Sequence, residues 1–115
     1  MLFTEIPEIS ESKILKERAV FTITLPDTLF YFQGHFPGTP ILPGVVQIHW
    51  AIIWGQQLLK INKEFLSMEQ VKFHMPAKPG HRLYVELEWN EAKASLAFKY
   101  SLHNKVVSSG RIGLE

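Results

Sequence analysis

The sequence predicts an α+β fold in which an antiparallel β-sheet wraps around one long central helix. A long apolar run with helical character begins at Pro43-Gly44, and three segments of alternating apolar and polar residues and one further strand-like segment follow it. A segment rich in β-branched residues precedes it. A sheet with one apolar face needs a cover, and the run at 43–61 is the only element long and apolar enough to provide one. The sheet is therefore expected to curve around this helix.

The central helix is expected to begin at Pro43 and to end near residue 61. Proline suits the first helical position, because its missing N–H has no intrahelical partner to lose there and its φ is already helical. The few polar side chains of the run are Gln47, His49, Gln56, Gln57 and Lys60. A helix that is apolar on so many sides is normally buried on most of them. A second copy of the protein is therefore expected to pack against the face that the sheet leaves open.

Strands are expected on both sides of the helix. One is predicted at about 14–25, ending at the turn signal Pro26-Asp27, and residues 1–12 are expected to be irregular or a short edge segment. The segments expected to form strands after the helix are 67–75, 82–89 and 95–102, which alternate, and 106–114, a last strand softened by two glycines. In the first of them, Val71, Phe73 and Met75 share the face expected to be half-buried. Short connections require antiparallel neighbours, so these four strands are expected to pair with one another in that way.

Composition limits the function classes. With 115 residues the chain is expected to form a single domain over 1–115, and 46% hydrophobic with 20% charged residues is typical of a globular protein. A net charge of +1 gives no nucleic-acid footprint. The absence of cysteine excludes disulfides, a thiolate nucleophile and a cysteine-based metal site. The first residues lack a basic segment followed by an apolar one, so no signal peptide is predicted and the cytoplasm is the expected location.

The string GHFPGTPILPGVVQIHW at 34–50 resembles the hotdog-fold 3-hydroxyacyl-(acyl carrier protein) dehydratases, above all the small dehydratases of aryl-polyene gene clusters. The match is strongest at Gly34-His35-Phe36-Pro37, Pro40 and Leu42-Pro43-Gly44-Val45, and looser at Val71-Lys72-Phe73 and Pro79-Gly80. The resemblance covers about residues 16–113. It implies a hotdog fold, a lyase acting on acyl thioesters, no cofactor, an acyl carrier protein as partner, and a homodimer or dimer-based oligomer.

The resemblance also implies roles for individual residues. His35 matches the histidine that removes the proton α to the thioester carbonyl, and a neutral imidazole has a pKa suited to that task, about 6.5. His49 falls where the fatty-acid enzymes have a glutamate or aspartate, contributed by the other subunit of a dimer. The helix dipole and an apolar cavity both disfavour a charged His49, so we expect a neutral side chain that positions the 3-hydroxyl or a water. Phe36, Pro43, Gly44 and Val45 are the expected substrate-binding residues, with N–H groups at the helix start facing the carbonyl oxygen.

Several alternatives remain open on the sequence. His49 is also compatible with a buried structural histidine, and a His35/His49 metal pair lacks an evident third ligand. Trp50 and Trp54, four residues apart, fit core packing or a dimer seam, or the lining of an acyl pocket. A basic group around the turn at 76–80 fits a solvated face or the docking of an acidic carrier protein; its members are Lys72, Lys78, His81 and Arg82. The rival functions are a hotdog acyl thioesterase and a non-catalytic partner subunit of a heteromeric dehydratase.

Overall fold

The computed structural model describes residues 5–29, 32 and 40–115. Its elements follow in this order: β1 (Ile9–Leu15), β2 (Arg18–Thr24), α1 (Gly44–Leu58), β3 (Phe65–Phe73), β4 (Arg82–Asn90), β5 (Ser95–Leu102) and β6 (Lys105–Leu114). The strands form one antiparallel sheet in the order β1-β2-β4-β5-β6-β3. Helix α1 packs against β4 and β5 at the centre of this sheet. The predicted α+β architecture is confirmed.

Alternation correctly identified the buried face of the central strands. Every second side chain of β4 and β5 is buried against the helix; these are Leu83, Val85, Leu87, Trp89, Leu96, Phe98, Tyr100 and Leu102. Trp50 and Trp54 are buried in the same core, with ring centroids 5.8 Å apart. The ring of Trp54 also meets Phe21 edge-on at 5.0 Å. The two tryptophans are therefore core residues of this chain.

Two predictions about the strands were wrong. The expected strand at 14–25 is a hairpin, because the chain turns at Lys16 and Glu17, where Lys16 adopts a φ of 44°. Its first strand, β1, lies at one edge of the sheet. The strand expected at 67–75 spans 65–73 and pairs with β6 at the opposite edge, not with β4. The connection from β3 to β4 therefore joins two strands that are not neighbours, because β4 lies between β2 and β5 and β3 lies beside β6.

The helix start and the β3 edge also depart from expectation. Pro43 has a φ of −59° and a ψ of 144°, so its extended ψ makes it the N-cap residue and Gly44 the first helical one. Phe73, expected on the half-buried face, is 51% exposed. It shares this edge strand with other exposed apolar side chains, namely Phe65, Leu66 and Met68.

Candidate active site

The start of helix α1 is the first part of the candidate site. The Pro43 carbonyl accepts hydrogen bonds from the N–H groups of Val46 at 3.1 Å and Gln47 at 3.3 Å, so Gly44 and Val45 precede the first donors of the helical ladder. The first turn of this fully described helix carries no acidic side chain. The positive end of the helix dipole is therefore not neutralised by its own first turn. N–H groups in this setting favour an anion or the oxygen of a polarised carbonyl.

Gly44 makes a close contact that the sequence did not reveal. A Cβ atom built on Gly44 would lie 2.6 to 3.0 Å from three carbons of the Phe73 ring. Phe73 ends strand β3, so the ring brings the sheet edge against the helix start. The absence of a side chain at Gly44 thus has a packing reason within this chain, beside the expected approach of a substrate.

His49 lies on the outer stripe of the helix. This stripe also contains Val45, which is 57% exposed, and the half-buried Ile52 and Ile53. The opposite side of the helix, with Trp50 and its neighbours, is buried against the sheet. His49 is half-buried and therefore faces away from this chain's own core.

A buried polar cluster lies beneath the helix start. Gln47 is 3% exposed, and its side-chain amide Nε2 donates to the Leu42 carbonyl at 3.3 Å. Its Oε1 accepts a hydrogen bond of 2.7 Å from the Ser108 hydroxyl on β6. The Tyr100 hydroxyl on β5 donates to the Gln47 backbone carbonyl at 2.6 Å, and full burial holds the pKa of Tyr100 well above its usual value, so this donor stays protonated. Gln47 is visible in the sequence as one of the few polar residues of the helix, but no sequence signal identifies its partners.

The segment that carries the predicted base is attached at both ends to one loop. Leu25 exchanges backbone hydrogen bonds with Gly80 and His81, at 2.7 and 2.9 Å. Leu42 donates its N–H to the Ala77 carbonyl at 2.8 Å. His35 and Phe36 lie between these anchors but outside the described residues. Of the expected site residues, the structure brings together Pro43, Gly44, Val45 and His49 in the first turns of α1.

The basic group around residues 76–80 is only partly available for a partner. Arg82 forms an ion pair with Glu11 of β1, whereas Lys72 and Lys78 are exposed. The imidazole Nδ1 of His81 accepts the Lys78 backbone N–H at 3.0 Å. Partial burial, and then the nearby charge of Lys78, lower the pKa of His81 below its ordinary value. This favours the neutral form that can accept the bond.

Within residues 5–29, 32 and 40–115, no group of three His, Asp or Glu side chains is arranged to hold a metal ion. None of the helices formed by these residues has the length and apolar character needed to cross a membrane.

Comparisons with known proteins agree with this architecture. A FabZ 3-hydroxyacyl-[acyl-carrier-protein] dehydratase of Clostridium perfringens is 31% identical over 123 residues, covering 97% of this chain and 84% of the relative. The structure titled "The Dehydratase Heterocomplex ApeI:P from Xenorhabdus doucetiae" contains a chain with 38% identity and a TM-score of 0.90, with 96% of this chain and 98% of that one covered. Thioesterase superfamily member 2 of Mus musculus, 14% identical with a TM-score of 0.70 over 91% of this chain and 77% of that one, shares the fold alone.

The family assignment follows from a match that extends over most of the chain. The model of the ApeI-like family, described as ApeI dehydratase, matches residues 11–111 and so includes the helix, the cluster beneath it, four of the six strands from end to end and most of the other two. The chain belongs to the ApeI-like dehydratase family, within the hotdog-fold 3-hydroxyacyl-[acyl-carrier-protein] dehydratases.

Proposed function

We propose that this chain dehydrates 3-hydroxyacyl thioesters carried by acyl carrier protein to trans-2-enoyl thioesters, in fatty-acid or aryl-polyene-type biosynthesis in the cytoplasm. The observation that carries the proposal is the helix start at Gly44. The first turn of α1 has no acidic side chain that would neutralise the positive end of the helix dipole. The segment that contains His35 directly precedes this turn in the chain. Membership of the dehydratase family supports the same reaction.

The reaction assigns one role to each part of the site. The thioester carbonyl oxygen lies at the start of α1, where backbone N–H groups stabilise the negative charge that develops on it. His35 accepts the proton from C2 through an imidazole nitrogen. The C–H electrons form the C2–C3 double bond as the C3–O bond breaks, and the leaving oxygen takes up a proton to depart as water. Protonated His35 is the available donor of that proton.

His49 is proposed to act across a subunit interface. It lies on the outer stripe of α1, which this chain's own sheet does not cover. A second subunit packed on that stripe would bring His49 of one chain towards the substrate held by the other. There a neutral imidazole orients the 3-hydroxyl, or a water, by hydrogen bonding. The exposed apolar side chains of β3 offer additional area for the contact.

The second candidate function is a partner subunit in a heteromeric dehydratase. Histidine stands where fatty-acid dehydratases have a carboxylate, so this chain would complete only half of the usual pair. A related chain with 38% identity comes from a structure described as a dehydratase heterocomplex. In this version the chain is a non-catalytic subunit that binds the acyl group or acts as a scaffold, and the second chain supplies the carboxylate that handles the leaving hydroxyl.

The partner in either version is a carrier protein bearing the acyl chain. Carrier proteins of this kind are acidic, and Lys72 and Lys78 are the exposed cations near the loop that anchors the His35 segment. Arg82, already paired with Glu11, is a weaker candidate for that contact. Docking on this side would deliver the thioester towards the helix start.

The decisive experiment follows the intact thioester by mass spectrometry. The purified chain is incubated with a 3-hydroxyacyl carrier-protein thioester, beside the variants His35→Ala and His49→Ala. We expect the loss of one water from the thioester, abolished by His35→Ala and slowed by His49→Ala. Gel filtration and native mass spectrometry in parallel record whether the active species is a homodimer.

The other outcomes distinguish the rival functions. Release of the free acid identifies a thioesterase and contradicts the proposal. Dehydration that appears only when a second dehydratase chain is added identifies the heteromeric version. Full turnover by His49→Ala would show that this imidazole is a structural residue.

A further inference from the structure

The buried cluster beneath the helix start, formed by Gln47, Ser108 and Tyr100, has no role in the reaction as proposed above. Gln47 and Ser108 are 3% and 0% exposed, and their side chains bond to each other through Gln47 Oε1 and Ser108 Oγ at 2.7 Å. The Nε2 atom of the same side-chain amide donates to the Leu42 carbonyl at 3.3 Å. The cluster therefore joins strand β6 to the residue that precedes the N-cap of α1.

Leu42 is held at both of its backbone polar groups. Its N–H donates to the Ala77 carbonyl at 2.8 Å, and its carbonyl accepts from Gln47. Pro43 follows it directly and accepts the first two N–H groups of the helical ladder, those of Val46 and Gln47. Any movement of Leu42 is thus transmitted to the peptide groups that begin the helix.

Core stability alone does not require the bond between Gln47 and Ser108. Replacing both partners of a buried hydrogen bond by apolar groups of similar shape is often nearly neutral, because no polar group is then left without a partner. An apolar side chain at position 47 would also continue the buried stripe formed by Val46, Trp50 and Trp54. What the amide supplies, and an apolar side chain would not, is a fixed position for the Leu42 carbonyl.

We propose that Gln47 and Ser108 are positioning residues that hold the turn Leu42–Gly44 in place for the reaction. This inference rests on the proposed function, because it assigns the helix start to the thioester carbonyl. Neither side chain touches the substrate. They act through Leu42, whose position sets the direction of the backbone N–H groups at the helix start. A donor displaced by about 1 Å can lower a rate by roughly 100-fold.

The test uses a double variant, Gln47→Met with Ser108→Ala, in the full chain and with whichever second chain the dehydration assay requires. Methionine keeps the unbranched shape of glutamine, and the paired change leaves neither side chain with a buried polar group. The Leu42 carbonyl loses its amide donor, which is the interaction under test. Gln56→Met is the matched control. Gln56 lies on the same helix, and its Nε2 donates a hydrogen bond to the Lys63 carbonyl at 2.9 Å. It therefore makes the same type of bond, from a side-chain amide to a backbone carbonyl, near the C-terminal end of α1.

Two readouts separate positioning from stability. We expect the double variant to unfold at a moderately lower temperature, because the buried Leu42 carbonyl loses its amide donor. At a temperature where the variant is fully folded, kcat should fall about 10- to 100-fold with a smaller change in KM. Amide hydrogen exchange is expected to become faster at Leu42 and Val46, and Gln56→Met is expected to leave both readouts unchanged. If the double variant fails to fold, Ser108→Ala alone is compared with the wild type, because it removes only one hydroxyl.

The results also distinguish this inference from the proposed function. Unchanged exchange at Leu42 and Val46, or an activity loss no larger than the loss of folded protein, would overturn the positioning role. The same kcat loss in Gln56→Met would overturn it as well. A wild-type protein that dehydrates no substrate, alone or with a partner, contradicts the proposed function, and the exchange comparison then decides on its own whether the cluster holds the helix start.

Discussion

The contact between Gly44 and Phe73 makes a quantitative prediction about the helix start. A Cβ at position 44 would lie 2.6 Å from Cζ of the Phe73 ring, whereas carbon atoms pack at about 3.5 to 4.0 Å. In Gly44→Ala the ring must therefore retreat by about 1 Å. Overpacking of this kind costs about 1 to 3 kcal/mol, and we take the lower end because Phe73 is 51% exposed and can move.

The helix propensity of alanine opposes this cost. Alanine in place of glycine stabilises a helix interior by up to about 1 kcal/mol, so Gly44→Ala should change the free energy of unfolding by no more than about 1 kcal/mol. In a Phe73→Ala background the clash is absent and the propensity gain remains. A double-mutant cycle should therefore give a coupling energy of about 1 to 2 kcal/mol between the two positions. Urea unfolding of the four proteins measures it, and a coupling below about 0.3 kcal/mol would refute the contact.

The same four proteins also reveal why position 44 is glycine. The Phe73 ring occupies the space that a Cβ would take, so we expect Gly44→Ala to reduce dehydration only when the ring is present. The double variant should then be as active as Phe73→Ala. If it is markedly less active, the added methyl group obstructs the substrate itself, and close approach of the thioester becomes the reason for the glycine.

Three further predictions concern the core and its attachments. Gly55→Ala should lower the free energy of unfolding by about 1 to 2 kcal/mol in urea unfolding, because its Cβ would lie 2.7 Å from Cδ2 of the fully buried Leu96; wild-type stability would contradict the contact. Trp50→Phe should cost about 1 kcal/mol in the same assay, since it removes the 2.8 Å hydrogen bond from the indole Nε1 to the Glu5 carbonyl; an unchanged midpoint would refute this. The pKa of His81 is lowered in the folded state, so the unfolded state binds the proton more readily, and stability should decrease as the pH falls below about 6.5. His81→Gln should flatten that dependence in thermal melts recorded from pH 7.5 to 5, and an equally steep decrease in the variant would assign it to other groups.

Local patterns predicted the central part of the fold well. The strand expected at 95–102 is β5, and those expected at 82–89 and 106–114 differ from β4 and β6 by one residue at one end. The segments at 82–89 and 95–102 alternate with a period of two over eight residues, and the turns beside the three strands use Asn, Gly or Lys at the expected places. Pairing between consecutive strands is a short-range property, so local sequence is sufficient to specify it.

The sheet edges could not be predicted in the same way. The β1–β2 turn at Lys16 and Glu17 contains no Gly, Pro, Asn or Asp, which are the residues typical of turns. Lys16 adopts a positive φ although lysine is not a residue type from which a positive φ is predicted. Strand β3 pairs with β6, although the strand that follows β3 in sequence is β4. That choice depends on the curvature of the whole sheet around the helix, which the residues of β3 do not encode by themselves.

The polar residues of the helix show how far sequence reasoning about the site can reach. Glutamine and histidine in an apolar run are visible in the sequence, but the sequence does not say which of them faces the core. The structure directs Gln47 inwards to Ser108, 61 residues away in the chain, and places His49 on the outer stripe. The first contact exists only because β6 lies beside β5 under the first turn of the helix. His49 therefore lies on the helix face proposed to meet a second subunit, while the Gln47 amide bonds to the Leu42 carbonyl, and exchanging the two residues would disrupt both arrangements.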